Sequence, residues 1–256
     1  MKVMSYNIKV GAKTPERMDA VLDTIKRHDP DTIGLQEACV KWYNFLLEHL
    51  SDVYGFAGMG RDSDLNEDGT LLENKGEACF VMYKKDKYRL VDTQTTWLTS
   101  TPYERSKIEP DQKYRRVITK AVLEEKATGK QFVAFSIHTN GEHYGLQEIN
   151  YAMERVLPVL ETGLPTYFTG DFNVLPTSDT YALIAQHMND ARQIAKAYGN
   201  NGVTTTVSRR IIDFIWCSKD NITVEKFDVL DEPIYPMGWV EKYASDHLAV
   251  VAEISF

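Results

Sequence analysis

Strand-length runs dense in β-branched and aromatic residues recur along the whole chain, and many stop on a polar or acidic side chain: "KVMSYNI", "TIGLQE", "QFVAFSIH", "PTYFTGD" and "IIDFIWCS". Further runs, "ACFVMYKK", "RRVITKAVLEEK", "ITVEKFDVL" and "HLAVVAEISF", have the same composition. Such segments commit the chain to sheets. The polar turn from Ala127 to Lys130, with Gly129, joins two of them closely enough for an antiparallel hairpin. Helical spacing interleaves with the strands. Thr14 suits an N-cap and Pro15 a first helical position, with Met18, Val21, Leu22 and Ile25 on one face and an end near His28, before Pro30. Trp42, Phe45, Leu46 and Leu50 mark a second helix, and Leu146, Ile149, Met153, Val156, Leu157 and Leu160 a third. A fourth is expected from Thr177 and covers Leu183 and Ile184. The pattern is α+β: sheets whose outer faces are covered by helices. Residues 60–76 are polar without lasting periodicity and read as a surface loop. With no repeat or composition break, a single domain over 1–256 is expected.

Charge narrows the partners. A formal net charge of -8 offers no global field for polyanions, so a phosphate-bearing ligand must be held locally, through metal ions. Cys39, Cys79 and Cys217 are odd in number, widely spaced and set in or beside apolar runs, which suits reduced thiols and a cytoplasmic setting. A secreted form whose leader has been removed is the alternative. No apolar stretch is long enough for a transmembrane helix.

The chemistry lies at the strand ends: Asn7, Glu37, His138, Asp171 and Asn173, Asp213, Asp246 and His247. A carboxylate ending a hydrophobic strand suffers desolvation unless it is paired, hydrogen-bonded or metal-bound. Several converging would make an oxygen-rich site for Mg2+ or Mn2+. Singly, each also reads as an ordinary turn or cap residue. Zinc is a poor fit because no Cys or His pair has the spacing of a structural site, and there is no nucleophile elbow, Walker loop or dinucleotide fingerprint.

In order, "SYNI", "LQE", the strand-borne His138, "GDFN", "IDFIW" and "SDH" resemble the motifs of the endonuclease/exonuclease/phosphatase superfamily, the deoxyribonuclease I-like fold. The resemblance runs from Asn7 to His247. "GRDSD", "GEACFVMYKKD" and "TTWLTSTP" are similar to bacterial members. It implies a four-layer α/β/β/α sandwich with an active site at one rim. By that resemblance Glu37 is the principal metal ligand, with Asn7 and Asp246 beside it, and the cofactor is Mg2+ or Mn2+. Asp171 orients or deprotonates the attacking water, and Asn173 donates to the same phosphate. His247 contacts phosphate or activates water and is oriented by Asp213. His138 is a phosphate contact or leaving-group acid partnered by Glu77. Arg61 and Arg116 fall in segments similar to the family's rim and suit phosphate, with solvated surface arginines as the plain alternative. Trp97 could stack on a base or sugar or simply pack. "SIHTNGEH" departs from the usual pattern after the histidine, so that loop gives no substrate.

The implied activity is metal-dependent hydrolysis of a phosphomonoester or phosphodiester by in-line attack of water. A DNA or RNA nuclease is the first alternative and predicts a local basic patch. A non-catalytic binding module of the same fold is the second; retention of every motif residue argues against it.

Overall fold

The computed structural model describes residues 1–11, 14–66, 70–105, 112–233 and 243–256, apart from the side chains of 142 and 143. In chain order the elements are β1 (Lys2–Asn7), α1 (Pro15–His28), β2 (Thr32–Cys39), α2 (Val40–Leu50), β3 (Tyr54–Ala57), β4 (Asp64–Leu65), β5 (Leu71–Glu73), β6 (Glu77–Lys84), β7 (Tyr88–Trp97) and β8 (Val117–Glu125). Then follow β9 (Gln131–His138), α3 (Glu142–Glu161), β10 (Thr166–Asp171), α4 (Asp179–Ala185), β11 (Met188–Asp190), α5 (Ala191–Ile194), β12 (Ala197–Tyr198), β13 (Asp213–Ser218), β14 (Thr223–Val229) and β15 (Val250–Ser255).

These build a seven-stranded sheet, β12-β14-β15-β1-β2-β6-β3, and a six-stranded sheet, β11-β13-β10-β9-β8-β7. Residues of both sheets, among them Val3, Val81, Leu123, Phe132, Tyr167 and Phe227, share one buried cluster between them. A second cluster joins the outer face of the larger sheet to α1 and α2 through Met4, Leu35, Met18 and Trp42. A third joins the smaller sheet to α3 and α4 through Phe135, Phe168, Ile149 and Ile184. This is the four-layer arrangement. The sheets approach closely at Gly34, where a Cβ would lie 2.0 Å from Thr169 Oγ1 of the facing sheet; any side chain there would wedge them apart.

Local signals account for most boundaries. Thr14 Oγ1 accepts from Arg17 N at 3.4 Å, and Asp29, at φ 45°, ends α1 ahead of Pro30. The 125–131 hairpin forms as its composition predicts, with Gly129 at φ 73°. Among the described residues, no helix is long and apolar enough to cross a membrane, and the three cysteines are free thiols.

Three expectations need correction. The fourth helix starts at Asp179, because the Ser178 hydroxyl is the one that accepts from Tyr181 N, at 3.1 Å. Leu146 is exposed, whereas Ile149, Met153 and Val156 are buried and Leu157 and Leu160 pack at the margin as expected; Gly145, Glu148 and Ala152 complete the buried face of α3. Within 60–76, β4 pairs with β5, so that stretch is partly a hairpin; its residues 67–69 lie outside the described residues.

Candidate active site

Strand direction gathers the polar ends at one rim. β1 runs parallel to β2 and β9 parallel to β10, while β6 and β13 run against their neighbours. The last residues Asn7, His138 and Asp171 therefore meet the first residues Glu77 and Asp213. Asp171 pairs in register with His138 on one side and with Asp213 on the other, so three side chains issue from adjacent strands at one level.

Glu37 arrives by a different device. The β2–β6 register shifts between Leu35 and Ala38, and Glu37 itself sits at φ 60°. A bulge re-aims a side chain, and a left-handed conformation outside glycine costs roughly 1–3 kcal/mol. The re-aimed carboxylate accepts from Asn7 Nδ2 at 3.1 Å and from Val10 N at 2.7 Å. Asn7 Nδ2 also donates to Asp171 Oδ2 at 2.9 Å, which ties the larger sheet to the smaller one across the site.

Asp171 is buried, and its Oδ1 accepts from Asn173 N at 2.9 Å. β10 ends at Asp171, and Asn173 lies past it at φ 52°. A turn held by the Asp171 carboxylate, rather than strand alternation, thus carries the Asn173 amide to Thr139 O and His138 Nε2, each at 3.0 Å. Phe172 between them is fully buried in the outer core.

The two histidines are in opposite electrostatic situations. Arg116 Nη1 lies 3.0 Å from His138 Nδ1. A guanidinium only donates, so Nδ1 accepts and the ring proton is left on Nε2, 3.4 Å from Asp171 Oδ2; the Asn173 amide nitrogen, which donates to Thr139 O, is then a close neighbour of that N–H and not a donor to it. Burial, with Arg116, His247 and Arg61 adding to it, pushes His138 well below the usual imidazole value, so it is neutral. For His247, burial alone would do the same, but the carboxylates of Asp213 and Asp171 outweigh it and raise the ring to about 10. Its Nδ1 lies 3.0 Å from both Asp213 oxygens, and its Nε2 is 3.6 Å from Asp171 Oδ2. Thr204 Oγ1 steadies Asp213 at 2.6 Å. Burial raises Asp171 as well. Asp171, Asp213 and His247 each offer a ligand atom within 4.8 Å of the others, a group that could hold a metal ion.

The remaining expected residues lie close by in different company. Asp246 is turned to Lys9, 3.4 Å from its Nζ. Glu77 grips Arg61 at 2.8 and 3.0 Å and lies 3.6 Å from Arg116, so it reaches His138 only through Arg116 rather than directly. Arg61 and Arg116 are buried, which excludes the solvated alternative, and their guanidinium groups are engaged by Glu77 and His138. Trp97 is fully buried with its Nε1 donating to Arg61 O at 2.8 Å, so its ring offers no stacking face. Sequence reasoning passed over Thr204 and Lys9. "GVTTT" carries no motif, and Lys9 is marked only by a backbone φ of 54° that no sequence pattern announces.

Comparison with known proteins agrees with this fold. The profile described as the Endonuclease/Exonuclease/phosphatase family matches residues 4–247. Nocturnin of Homo sapiens is 25% identical over 264 residues, 95% of this chain and 59% of that protein, so the chain spans less than two thirds of its length. Among solved structures, an endonuclease/exonuclease/phosphatase from Bacteroides vulgatus is 27% identical with a TM-score of 0.83, covering 100% of this chain and 98% of that one. A mannosyl-6-phosphatase of Bacteroides thetaiotaomicron is 24% identical with a TM-score of 0.87, covering both chains fully, a likeness of fold.

Proposed function

The chain belongs to the endonuclease/exonuclease/phosphatase family, and from that membership we propose that it is a Mg2+- or Mn2+-dependent hydrolase of a small phosphate ester, acting by in-line attack of water. The observation that carries this reading is the register that sets Asp171 between His138 and Asp213, with His247 Nε2 and Asn7 Nδ2 facing the same Asp171 oxygen.

The donor set fits a hard cation. Among the described residues, Glu37 has no Lys, Arg or His partner, whereas Asp213 and Asp246 each have one and Glu77 has two. Glu37 and Asn7 would hold the cation. Asp246 would join by leaving its exposed pair with Lys9, at a cost of about 0–1 kcal/mol. When bound, the cation neutralises charge on the phosphoryl oxygens and the leaving oxygen. The Asp171–Asp213–His247 group reads better as proton machinery, because His247 Nδ1 is occupied by Asp213. Asp171 takes the proton of the attacking water, and the charged His247 steadies the phosphate. Neutral His138 holds a proton on Nε2 toward the site, suited to the leaving oxygen.

A substrate panel with Mg2+ or Mn2+ tests the reading: p-nitrophenyl phosphate, bis-p-nitrophenyl phosphate, sugar phosphates, plasmid DNA and RNA. Turnover of small esters that chelation abolishes and added Mg2+ restores is expected. Preference for DNA or RNA with a steep fall in salt would indicate a nuclease instead. Glu37→Gln should weaken Mn2+ binding, read by titration calorimetry, by about tenfold to a hundredfold, more than Asp246→Asn. Equal losses would remove Glu37 from the leading place.

A further inference from the structure

Tyr114 is 40% exposed, yet it is held like a core residue. Its backbone N donates to Asn140 Oδ1 at 3.2 Å, and its carbonyl accepts from Asn140 Nδ2 at 2.6 Å. Asn140 is clamped in turn by Glu148, whose Oε2 accepts from Asn140 N and Oε1 from Asn140 Nδ2, both at 2.6 Å. Gln112 Nε2 donates to the same Oε1 at 2.9 Å. Glu148 is completely buried, and burial raises its carboxyl above the ordinary range. A buried carboxylate is an unfavourable thing to keep, and here it orders a loop whose exposed product is one aromatic ring.

That ring lies beside the site. Arg61 approaches its centroid to 4.7 Å and Arg116 to 5.5 Å. Arg116 is also the residue 3.0 Å from His138 Nδ1, so a single guanidinium separates the Tyr114 ring from the His138 imidazole. The exposed Lys113 ammonium, 5.1 Å from the ring, adds a hydroxyl-seeking group at its margin. Cations against an aromatic ring stiffen its placement, and a preorganised ring stacks on a ligand ring with little further ordering cost.

We infer that Tyr114 is a binding platform for the ring of the ester's alcohol group, so that the site favours phosphate esters of ring-bearing alcohols over open-chain ones. This rests on the phosphoesterase reading above.

The test compares kcat/KM of the full chain, with Mg2+, on phenyl phosphate, a hexopyranose 6-phosphate and glycerol 3-phosphate. Tyr114→Ala should lose about tenfold on a ring ester, mostly through KM, and less than about twofold on glycerol 3-phosphate, while Tyr114→Phe keeps the preference. Loss on phenyl phosphate alone would assign the platform to aromatic rings, and loss on both ring esters to rings in general. Inhibition by inorganic phosphate should be unchanged in Tyr114→Ala. A uniform loss across the three esters, no loss, or weakened phosphate inhibition overturns the inference. If wild type turns over the esters in an Asp171-dependent way while Tyr114→Ala shows one of these results, only the ring platform fails. If wild type turns over none of them, the phosphoesterase reading fails with it.

Discussion

Asp171→Asn should lower kcat on any productive ester by about a thousandfold to ten-thousandfold, the upper range for loss of a positioned base. The residue is buried, accepts from Asn7 and Asn173, and faces both histidine Nε2 atoms, at 3.4 and 3.6 Å. Asparagine keeps the shape and an acceptor oxygen but cannot take a proton. Because burial raises the Asp171 carboxyl in the folded chain, its ionised form is held against a desolvation cost. The variant sets an amide N–H where Asn7, Asn173 and His247 all donate, so a modest fall in melting temperature is expected, far too small to account for the collapse in rate; thermal denaturation and steady-state kinetics on the same preparation separate the two. A fall in rate below about tenfold would remove Asp171 from the water-activating role.

The second large effect is at His247. His247→Ala should cost about a hundredfold to a thousandfold in kcat/KM, because the imidazolium is the cation that bridges Asp213 and Asp171. Asp213→Asn should cost less, on the order of tenfold to a hundredfold, since the amide oxygen still accepts from His247 Nδ1 and from Thr204 while the charge that holds the imidazole protonated is gone. In the double variant the losses should not multiply: with His247 removed, Asp213 has nothing left to orient. Multiplicative losses in that cycle would show Asp213 acting independently, as a metal ligand would, and would favour the grouping of Asp171, Asp213 and His247 around an ion.

Much of the site is legible in the sequence. Strand-ending Asn7, His138 and Asp171 announce themselves because a polar residue closing an apolar run is a local pattern, and α1 is bounded by Thr14, Pro15 and Asp29 through contacts within one turn. The parts that were not legible depend on residues distant in sequence. Glu77 was expected to partner His138, but Arg116 from the approach to β8 stands between them. Asn173 stands two residues past Asp171, but strand alternation does not place it, because the Asp171 carboxylate draws its backbone N–H into a turn. Trp97 was open between stacking and packing until the Arg61 carbonyl took its N–H.

The sequence by itself marked β1, β2, β6, β8, β9, β10, β13, β14 and β15, the helices α1 to α4, the family resemblance and most of the polar rim, but not β7 or the short strands, because periodicity, capping and strand-terminal polarity act over a few residues. Only the tertiary structure decided the company each group keeps: which acid holds which cation, which histidine is charged, and that Tyr114 stands over Arg61 and Arg116. Those outcomes follow from burial and from distances of about 3 Å between elements far apart in the chain, where Coulomb energies are largest and solvent no longer levels them.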